Sequence, residues 1–538
     1  MTIQERVMKR SSSYSGGGGG GDSRRITMAS LTTQDGIYRL LGLKCCPDDA
    51  IHLPHLETES RVTFAELKEK TSLKMLQAKS ADAVVGTETE DVWLAGSGRY
   101  GEPTLKRLSS SGSDGSRSIV FICIINVGFA IYISDLNTRD KYPIKSIRFS
   151  SSNPTCHAFD AEATDGHDLV IGMHNGDAYS VSLRNQLLNY GGKRFGARCY
   201  NHGGSFTDRC KQKLVTKSSF ARRLPFLRSS KGSCCTCIAW VPNSNGDFVV
   251  AHDDGNLYVY KNKLGVGDPS FPTIEDKTEF TFAPARNTEA NPTARWHICE
   301  RSINSVAFSN DGAFMATVGR DGYLRVFDYA NKLVIRFCKS FCSALLCCAW
   351  SADGMYILAG GADDKVHVWS MVQQRMVAWG KGHRSFVVGV AFDPYWPTPS
   401  SDDADQDVMY RFGSVGLDAQ LIFWNLKKKD IKDLAGKQRP SEGFHGQGSS
   451  SSYCSPFALP GLIQQPSPRL LDVRELHPSA DNLPHRAPLS GLIFTQNYVL
   501  TSCRDGVVKI WKRPGAPAES RPSNEASSAR PQPARNSF

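Results

Sequence analysis

A short turn-and-strand pattern recurs seven times along the chain, and it limits the possible folds more than any other feature of the sequence. Each copy starts with Asp or Asn and reaches an aromatic or aliphatic residue six places on, as in Asp254 followed by GNLYVY. Asp-Gly and Asn-Gly favour tight hairpin turns because both residues tolerate positive φ. The alternating positions that follow have the period of a half-buried strand. The copies start at Asn126, Asn175, Asp254, Asp321, Asp363, Asp418 and Asp505.

Two further apolar segments precede each turn, so every repeat supplies at least three consecutive strands. In two repeats the earlier segments are separated by Ser-Asn-Asp-Gly at 309–312 and Ser-Ala-Asp-Gly at 351–354, which are turn compositions. The turn residues Asp321 and Asp363 are 42 residues apart, within the ~40–45 residues of one WD-repeat blade. The pattern predicts antiparallel sheets repeated around a ring.

The ends of the repeats resemble the WD-repeat superfamily, whose units end in Trp-Asp or a variant of it. The variants are Phe327-Asp328, Trp369-Ser370, Trp424-Asn425 and Trp511-Lys512. The resemblance implies an all-β, seven-bladed propeller, which we expect to occupy residues 31–513. One unit keeps the hydrogen-bonding set of the family, in His383, Ser414, Asp418 and Trp424. We interpret His383 and Asp418 as a structural pair that ties a blade to its turn, not as an acid and base.

Long stretches between the repeats are rich in Ser, Gly, Pro or charge and lack periodicity, which is typical of disordered insertions and tails. We predict disorder at residues 1–30 and 514–538 and insertions at about 68–118, 184–232, 261–294, 396–408 and 426–486.

The last repeat has only three strands before the polar tail that starts at Pro514. An open blade edge invites aggregation, so its fourth strand must come from elsewhere. The segment between Asp35 and Ser60 can supply it, and residues 36–43 are the first choice.

The net charge of +11 has a local origin, because residues 184–231 contain twelve Lys or Arg and one acidic residue, Asp208. Such a segment could attract RNA, acidic lipid or an acidic protein, but it lacks interleaved aromatic residues. We favour a solvated loop and do not expect nucleic-acid binding. Deletion of 190–228 is therefore predicted to leave thermal stability nearly unchanged.

Several classes of function are not expected. No secretory signal or membrane span is found, since the apolar run 119–133 is short and contains Asn126. Sixteen cysteines without a signal suggest reduced thiols in the cytoplasm or nucleus. Cys234 and Cys237 form one C-x-x-C without a second ligand pair, so no metal is expected. No nucleophile motif or phosphate-binding loop is present, and we predict no cofactor, no small-molecule substrate and no catalysis.

Particular phrases resemble one family more closely, the WD-repeat cofactors of ubiquitin-specific proteases. They include LTTQDGIYRLL at 31–41, PTCHAF at 154–159, most of 296–395 and VLTSCRDGVVKIW at 499–511. The resemblance implies a non-catalytic subunit that binds a ubiquitin-specific protease and raises its activity.

Two other functions remain open. Substrate receptors of cullin-RING ubiquitin ligases usually carry Trp-Asp-x-Arg, whereas this chain has no Trp-Asp and comes nearest with Trp424-Asn425 followed by Leu426 and Lys427. An RNA-associated scaffold would rely on the basic segment alone.

The partner is expected at the loops that precede the innermost strands. Trp296, Phe341 and Phe386 precede three consecutive first strands, which suits a cluster of aromatic anchors. The alternative is that each ring packs between blades as part of the core.

Overall fold

The computed structural model describes fourteen segments of the chain. They are residues 30–46, 61–68, 119–138, 140–149, 152–160, 163, 167–188, 197–201, 233–267, 270–286, 289–340, 344–396, 408–429 and 473–515. Their strands form seven sheets, each of which is one blade.

The first two described strands belong to the last blade, and the next three blades follow in chain order. The first two are β1 (Ser30–Thr33) and β2 (Gly36–Cys45). Blade 1 contains β3 (Arg61–Lys68), β4 (Ile119–Val127), β5 (Ala130–Asp135) and β6 (Lys145–Arg148). Blade 2 contains β7 (Pro154–Phe159), β8 (Leu169–Met173), β9 (Ala178–Val181), helix α1 (Leu183–Leu188) and β10 (Arg198–Cys199). Blade 3 contains β11 (Cys235–Trp240), β12 (Asp247–His252), β13 (Asn256–Lys261), β14 (Thr281–Pro284) and β15 (Ala294–His297).

The remaining blades follow the same plan. Blade 4 contains β16 (Ile303–Phe308), β17 (Phe314–Gly319), β18 (Tyr323–Asp328) and β19 (Leu333–Lys339). Blade 5 contains β20 (Leu345–Trp350), β21 (Tyr356–Gly361), β22 (Lys365–Ser370), β23 (Arg375–Lys381) and β27 (Arg474–Leu476). Blade 6 contains β24 (Val387–Phe392), β25 (Met409–Gly416), β26 (Leu421–Lys427) and β28 (Ala480–Asn482). Blade 7 contains β29 (Leu489–Phe494), β30 (Tyr498–Cys503) and β31 (Val507–Lys512), followed outwards by β2 and β1.

The hydrophobic core is divided into seven clusters, one at each junction between neighbouring blades. At the last junction, Cys46 and Val508 of blade 7 pack with Ile125 of blade 1. Since every blade buries both faces against its neighbours, the ring is closed. The predicted seven-bladed propeller is confirmed.

Strand β2 completes blade 7, as the sequence predicted. It pairs antiparallel with β31, with Leu40 opposite Trp511 and Cys45 opposite Val507. The hairpin of β1 and β2 also holds blade 6, because Asp35 lies 2.6 Å from Arg411 in an ion pair. The amino end of the chain thus fastens the ring at the point where it closes.

The innermost strands are joined by side chains that bond to the next blade. The hydroxyl groups of Thr155 and Thr236 donate to the carbonyl oxygens of Cys235 and Ile303, and the Asn304 amide donates to that of Leu345 (2.7 Å). These bonds link blades 2, 3, 4 and 5 in sequence at the centre of the ring.

Three of the predicted insertions contain strands, so their boundaries are corrected. Strand β10 lies inside 184–232, β14 and the first residue of β15 lie inside 261–294, and β27 and β28 lie inside 426–486. All but β14 and β27 are fourth strands of their blades. Sequence analysis missed them because they are short or follow long connections. The predicted insertion 68–118 beyond Lys68, and residues 397–407, lie outside the described residues.

In the part of the chain that the structure describes, no helix is long and apolar enough to span a membrane.

Candidate protein-binding face

One face of the ring carries the connections that lead into the first strands together with the turns between second and third strands, and we call it the entry face. In six blades, the residue just before the first strand accepts a backbone hydrogen bond from the turn of the same blade. Examples are Arg320 N–H to Ser302 O (2.9 Å) and Leu417 N–H to Phe386 O (3.0 Å). The other four bonds run from His174 to Asn153, Asp253 to Cys234, Ala362 to Ala344 and Arg504 to Pro488. These bonds fix the loops of the entry face to the blades.

Most of the predicted turn residues act through their side chains. The carboxylates of Asp254, Asp321 and Asp418 each accept the backbone N–H two residues on, at 3.0, 3.1 and 3.1 Å, and Asn175 does the same for Asp177 (3.2 Å). This local bond stabilises the tight turn that the sequence pattern indicated.

The remaining three differ in detail. Asp363 accepts a bond from His367 (3.3 Å), and Asp505 precedes Gly506, whose φ of 67° lies in the left-handed region. Asn126 is a correction, because it lies within β4 and the turn falls at Gly128, with a φ of 56°. The Asn126 side chain is buried and donates to Pro154 O of blade 2 (3.3 Å), so it joins blades instead of forming the turn.

Four predicted network residues form one continuous hydrogen-bonded chain in blade 6. His383 Nδ1 lies 3.1 Å from Asp418 Oδ2, and its Nε2 lies 2.7 Å from Ser414 Oγ. Trp424 Nε1 donates to the same oxygen (2.8 Å). When His383 Nδ1 donates to Asp418, Ser414 donates to Nε2 and accepts from Trp424, so every group in the chain of bonds has a partner.

The electrostatics of this network suit a structural role. Burial alone would raise the pKa of the Asp418 carboxyl, but the hydrogen bond and charge interaction with His383, with hydrogen bonds from Arg384 N–H and Gln420 N–H, outweigh burial and lower that pKa. A carboxylate held ionised and fully engaged with donors is a poor proton acceptor for chemistry. The arrangement positions the entry loop of blade 6.

Blade 7 has a related network that the sequence analysis missed. His485 Nε2 lies 2.8 Å from Thr501 Oγ1, and Trp511 Nε1 donates to that oxygen (2.9 Å). The ten-residue spacing from Thr501 to Trp511 equals that from Ser414 to Trp424. This equal spacing is the sequence feature that could have revealed the network of blade 7. Burial, with nearby Lys509, lowers the pKa of His485 to about 3, so this histidine is neutral at pH 7.

Trp296 is not an exposed anchor, and its assignment as a partner-binding residue is corrected. It lies in β15 and is 1% exposed. Its ring packs against Phe282 at 5.8 Å, Phe327 at 5.5 Å and Tyr329 at 5.6 Å between centroids. Phe282 comes from β14, inside the segment expected to be an insertion. The alternating apolar residues at 280 and 282 could have revealed this strand.

Phe386, which directly precedes β24, is also buried, at 7% exposed. The prediction that it is an exposed anchor is therefore corrected as well. Phe341 lies outside the described residues.

Among the described residues on the entry face of blades 4 to 6, the exposed side chains are charged and not aromatic. Near the buried residues Trp296 and Phe386, the described and exposed charged residues are mostly basic, and Glu300 is the acidic one. They are Arg301, Arg320, Lys339, Lys381 and Arg384. The backbone N–H of Arg384 is bound to Asp418 (2.7 Å), so its side chain projects from a fixed point.

The two cysteines of the C-x-x-C motif do not converge. Cys234 Sγ lies 3.4 Å from His174 Nδ1 of blade 2, whereas Cys237 Sγ lies 3.8 Å from Val306 O of blade 4. Within the described segments, no group of three or more His, Cys, Asp or Glu side chains could hold a metal ion.

Comparison with known proteins identifies the repeat. The model of the family "WD domain, G-beta repeat" matches residues 292–328 and 334–370, which span the first three strands of blades 4 and 5. The chain is a WD-repeat β-propeller, a fold whose members generally act as scaffolds for protein interactions. A chain in the crystal structure of the mitotic checkpoint complex is similar at 12% identity, with a TM-score of 0.43, over 73% of this chain and 84% of that chain. That likeness is too low to bear on function.

Proposed function

We propose that this protein is a non-catalytic scaffold whose entry face binds a ubiquitin-specific protease and raises its activity. The support for the protease is the resemblance of phrases such as PTCHAF, which here forms β7, to the cofactor family. We also propose that it works in the cytoplasm or nucleus, in line with its many thiols.

The observation that supports this location of the binding surface is a set of exposed basic side chains on loops that are held by backbone hydrogen bonds. Arg301, Arg320, Lys381 and Arg384 lie on three consecutive blades. With Trp296 and Phe386 buried, these side chains replace the aromatic cluster as the proposed contact points. Their charge suits an acidic surface on the partner, because complementary charge speeds association and fixes orientation.

A rigid face offers a physical route to activation. The turn-to-loop bonds of six blades hold the entry face in one arrangement. A surface that is already ordered loses little entropy on binding. If it binds the active conformation of a mobile protease element more tightly than the inactive one, it shifts the population toward activity.

Capture of partners from a cell lysate by the full chain, followed by mass spectrometry, tests this proposal. A ubiquitin-specific protease in the captured fraction supports it, and purified chain should then raise that protease's hydrolysis of ubiquitin linked to a fluorophore. Capture of a cullin adaptor, or of RNA released by salt, would instead support one of the alternative functions.

Charge reversal locates the surface. Arg301→Glu and Arg384→Glu should each weaken protease capture by at least ~1 kcal/mol if they are anchors, without lowering the unfolding temperature. Lys428→Glu is the matched control, because Lys428 is exposed beyond the far end of β26. Normal capture by both arginine variants would show that the contact lies elsewhere.

A further inference from the structure

We propose that the outer edge of blade 4, strand β19, is a docking site for an extended acidic segment of a partner protein, which adds to the blade as a fifth strand. This edge lies on the outer wall of the ring and reaches the entry face only at Lys339, its last residue. The proposal is therefore independent of the protease.

Strand β19 is the outermost described strand of a four-stranded blade that lies between two five-stranded blades. Blade 3 carries β14 beyond its fourth strand, and blade 5 carries β27 beyond β23. Among the described strands, none pairs with the outer side of the seven-residue β19. A long uncovered edge with apolar residues, such as Leu333 at 59% exposed, is a template for a further strand.

The backbone of β19 has peptide groups that point away from β18 and can pair with a further strand. Ser340 donates its N–H to Gly322 O (2.8 Å). In an antiparallel ladder this makes Leu324 and Cys338 the next hydrogen-bonded pair and turns the N–H and C=O of Phe337 away from β18. An added strand would bond at that position.

Two clefts flank the same strand, one on each side. The cleft toward blade 3 is lined by Val334 and Phe337 of β19 together with Glu279, Phe280, Ile298, Tyr323 and Arg325. The cleft toward blade 5 is lined by Arg336 and Cys338 of β19 and, across from them, by Ile357, Trp369 and Arg375. A strand added to an edge sends alternate side chains to opposite faces, so its side chains would enter both clefts.

Charge selects the kind of segment. Arg336 and Arg375 border the cleft toward blade 5, and neither forms an ion pair with a described residue. Lys332, exposed just before β19, is a cation on the other side, since its Nζ lies 4.6 Å from the centroid of the Phe282 ring of blade 3. Acidic side chains would therefore face blade 5, while apolar side chains would fill the cleft of Phe280, Val334 and Phe337.

Fluorescence anisotropy with a labelled peptide tests the proposal on the full chain. The probe is a fluorescein-labelled peptide of about seven residues that alternates Glu with Val and Leu. We expect saturable binding with a Kd below about 1 mM. Arg336→Glu should weaken it at least ~10-fold, while Lys428→Glu, the same charge change in blade 6, should leave it within about twofold.

Methylated probes test whether the peptide binds as a strand. Methylation of every second peptide nitrogen removes the N–H groups on one edge only. One of the two alternating methylated peptides should lose binding and the other should keep it. Equal binding of the two, no binding of the parent peptide, or an unchanged affinity of Arg336→Glu would each overturn the proposal. A dimer of the chain alone that Arg336→Glu dissociates in sedimentation would also overturn it, in favour of pairing between two copies.

Discussion

At the scale of single residues, the same side chain has different partners in different blades. Trp424 and Trp511 donate their indole N–H groups to Ser414 and Thr501. The matching tryptophan of blade 5, Trp369, is 4% exposed, and its Nε1 has no partner among the described residues. The strand partner of Trp369 is Ile357, and Ala359 lies two residues after it. Ser414 and Thr501 occupy this same position in blades 6 and 7, but Ala359 has no hydroxyl to accept the indole N–H. Buried donors without acceptors cost stability, so the complete networks of blades 6 and 7 hold the ring more firmly than blade 5.

The first prediction concerns Ser414. Ser414→Ala would leave His383 Nε2 and Trp424 Nε1 buried without this partner, and we expect a loss of ~1–3 kcal/mol in the free energy of unfolding. Ser385→Ala, at a half-buried serine of the same entry loop, should change it by less than ~0.5 kcal/mol. Denaturant titration of both variants measures the difference, and equal values would mean that the network contributes nothing to stability.

The second prediction concerns acid stability. Burial lowers the pKa of His485 to about 3 and, together with Arg61, that of His157 to about 4. The unfolded chain binds these protons near the ordinary pKa of 6.5, whereas the folded chain does not. Stability should therefore be complete above pH 6.5 and fall as the pH is lowered toward 4, by about 2 kcal/mol per histidine at pH 5.

Calorimetry of thermal unfolding between pH 8 and pH 5 measures this effect. His485→Gln keeps a neutral hydrogen-bonding group and should make the fall in unfolding temperature shallower. His477→Gln, at an exposed histidine, should leave the fall as it is. A wild-type unfolding temperature that stays constant from pH 7 to pH 5 would contradict the prediction.

At the scale of elements, the ring depends on a strand from the far end of the chain. Within β2, Tyr38 is 1% exposed and stacks on Phe423 of blade 6 at 5.8 Å between centroids. Its hydroxyl donates to Asp35 (2.8 Å). One side chain thus joins β2, the β1–β2 turn and blade 6.

The third prediction follows from that position. Tyr38→Ala should cost ~3–5 kcal/mol of unfolding free energy, as expected for removing a large buried aromatic side chain. Arg39→Ala, at the exposed neighbour on the same strand, should cost less than ~0.5 kcal/mol. Chemical denaturation distinguishes the two variants, and a small loss for Tyr38→Ala would mean that the ring closes without this contact.

At the scale of the whole molecule, the basic segment separates into parts with different roles. Tyr200 and Asn201, at 0% and 1% exposed, follow β10 and complete blade 2. The Asn201 amide bonds to the backbone at Gly176 and Ala178. The earlier expectation that residues 190–228 can be removed without effect is therefore corrected, because that deletion removes buried residues and a strand.

The fourth prediction compares two deletions. Replacing 202–231 by a short Gly/Ser linker should leave the unfolding temperature nearly unchanged, because the composition of that stretch offers little apolar surface to bury. Deleting 190–228 should lower it clearly, since Tyr200 alone should be worth ~3–5 kcal/mol. Scanning fluorimetry measures the unfolding temperatures of both proteins. An equal decrease in the two would mean that residues 202–231 also pack on the ring.

The sequence by itself determined the number of blades, six of their seven turns and the origin of the closing strand. These features depend on local chemistry, since Asp or Asn before a turn and alternation along a strand act within a few residues. The network of His383, Ser414, Asp418 and Trp424 was also readable, because all of its members lie in one repeat.

Only the tertiary structure decided which side chains are exposed and which segments form the outer strands. Trp296 packs against Phe282 from a strand that the sequence analysis had assigned to an insertion, and Phe386 is only 7% exposed. Burial depends on neighbours that are distant along the chain. The outer position of β19 is likewise visible only in the sheet order, because blade 4 ends at its fourth strand whereas β14 and β27 extend the blades on either side.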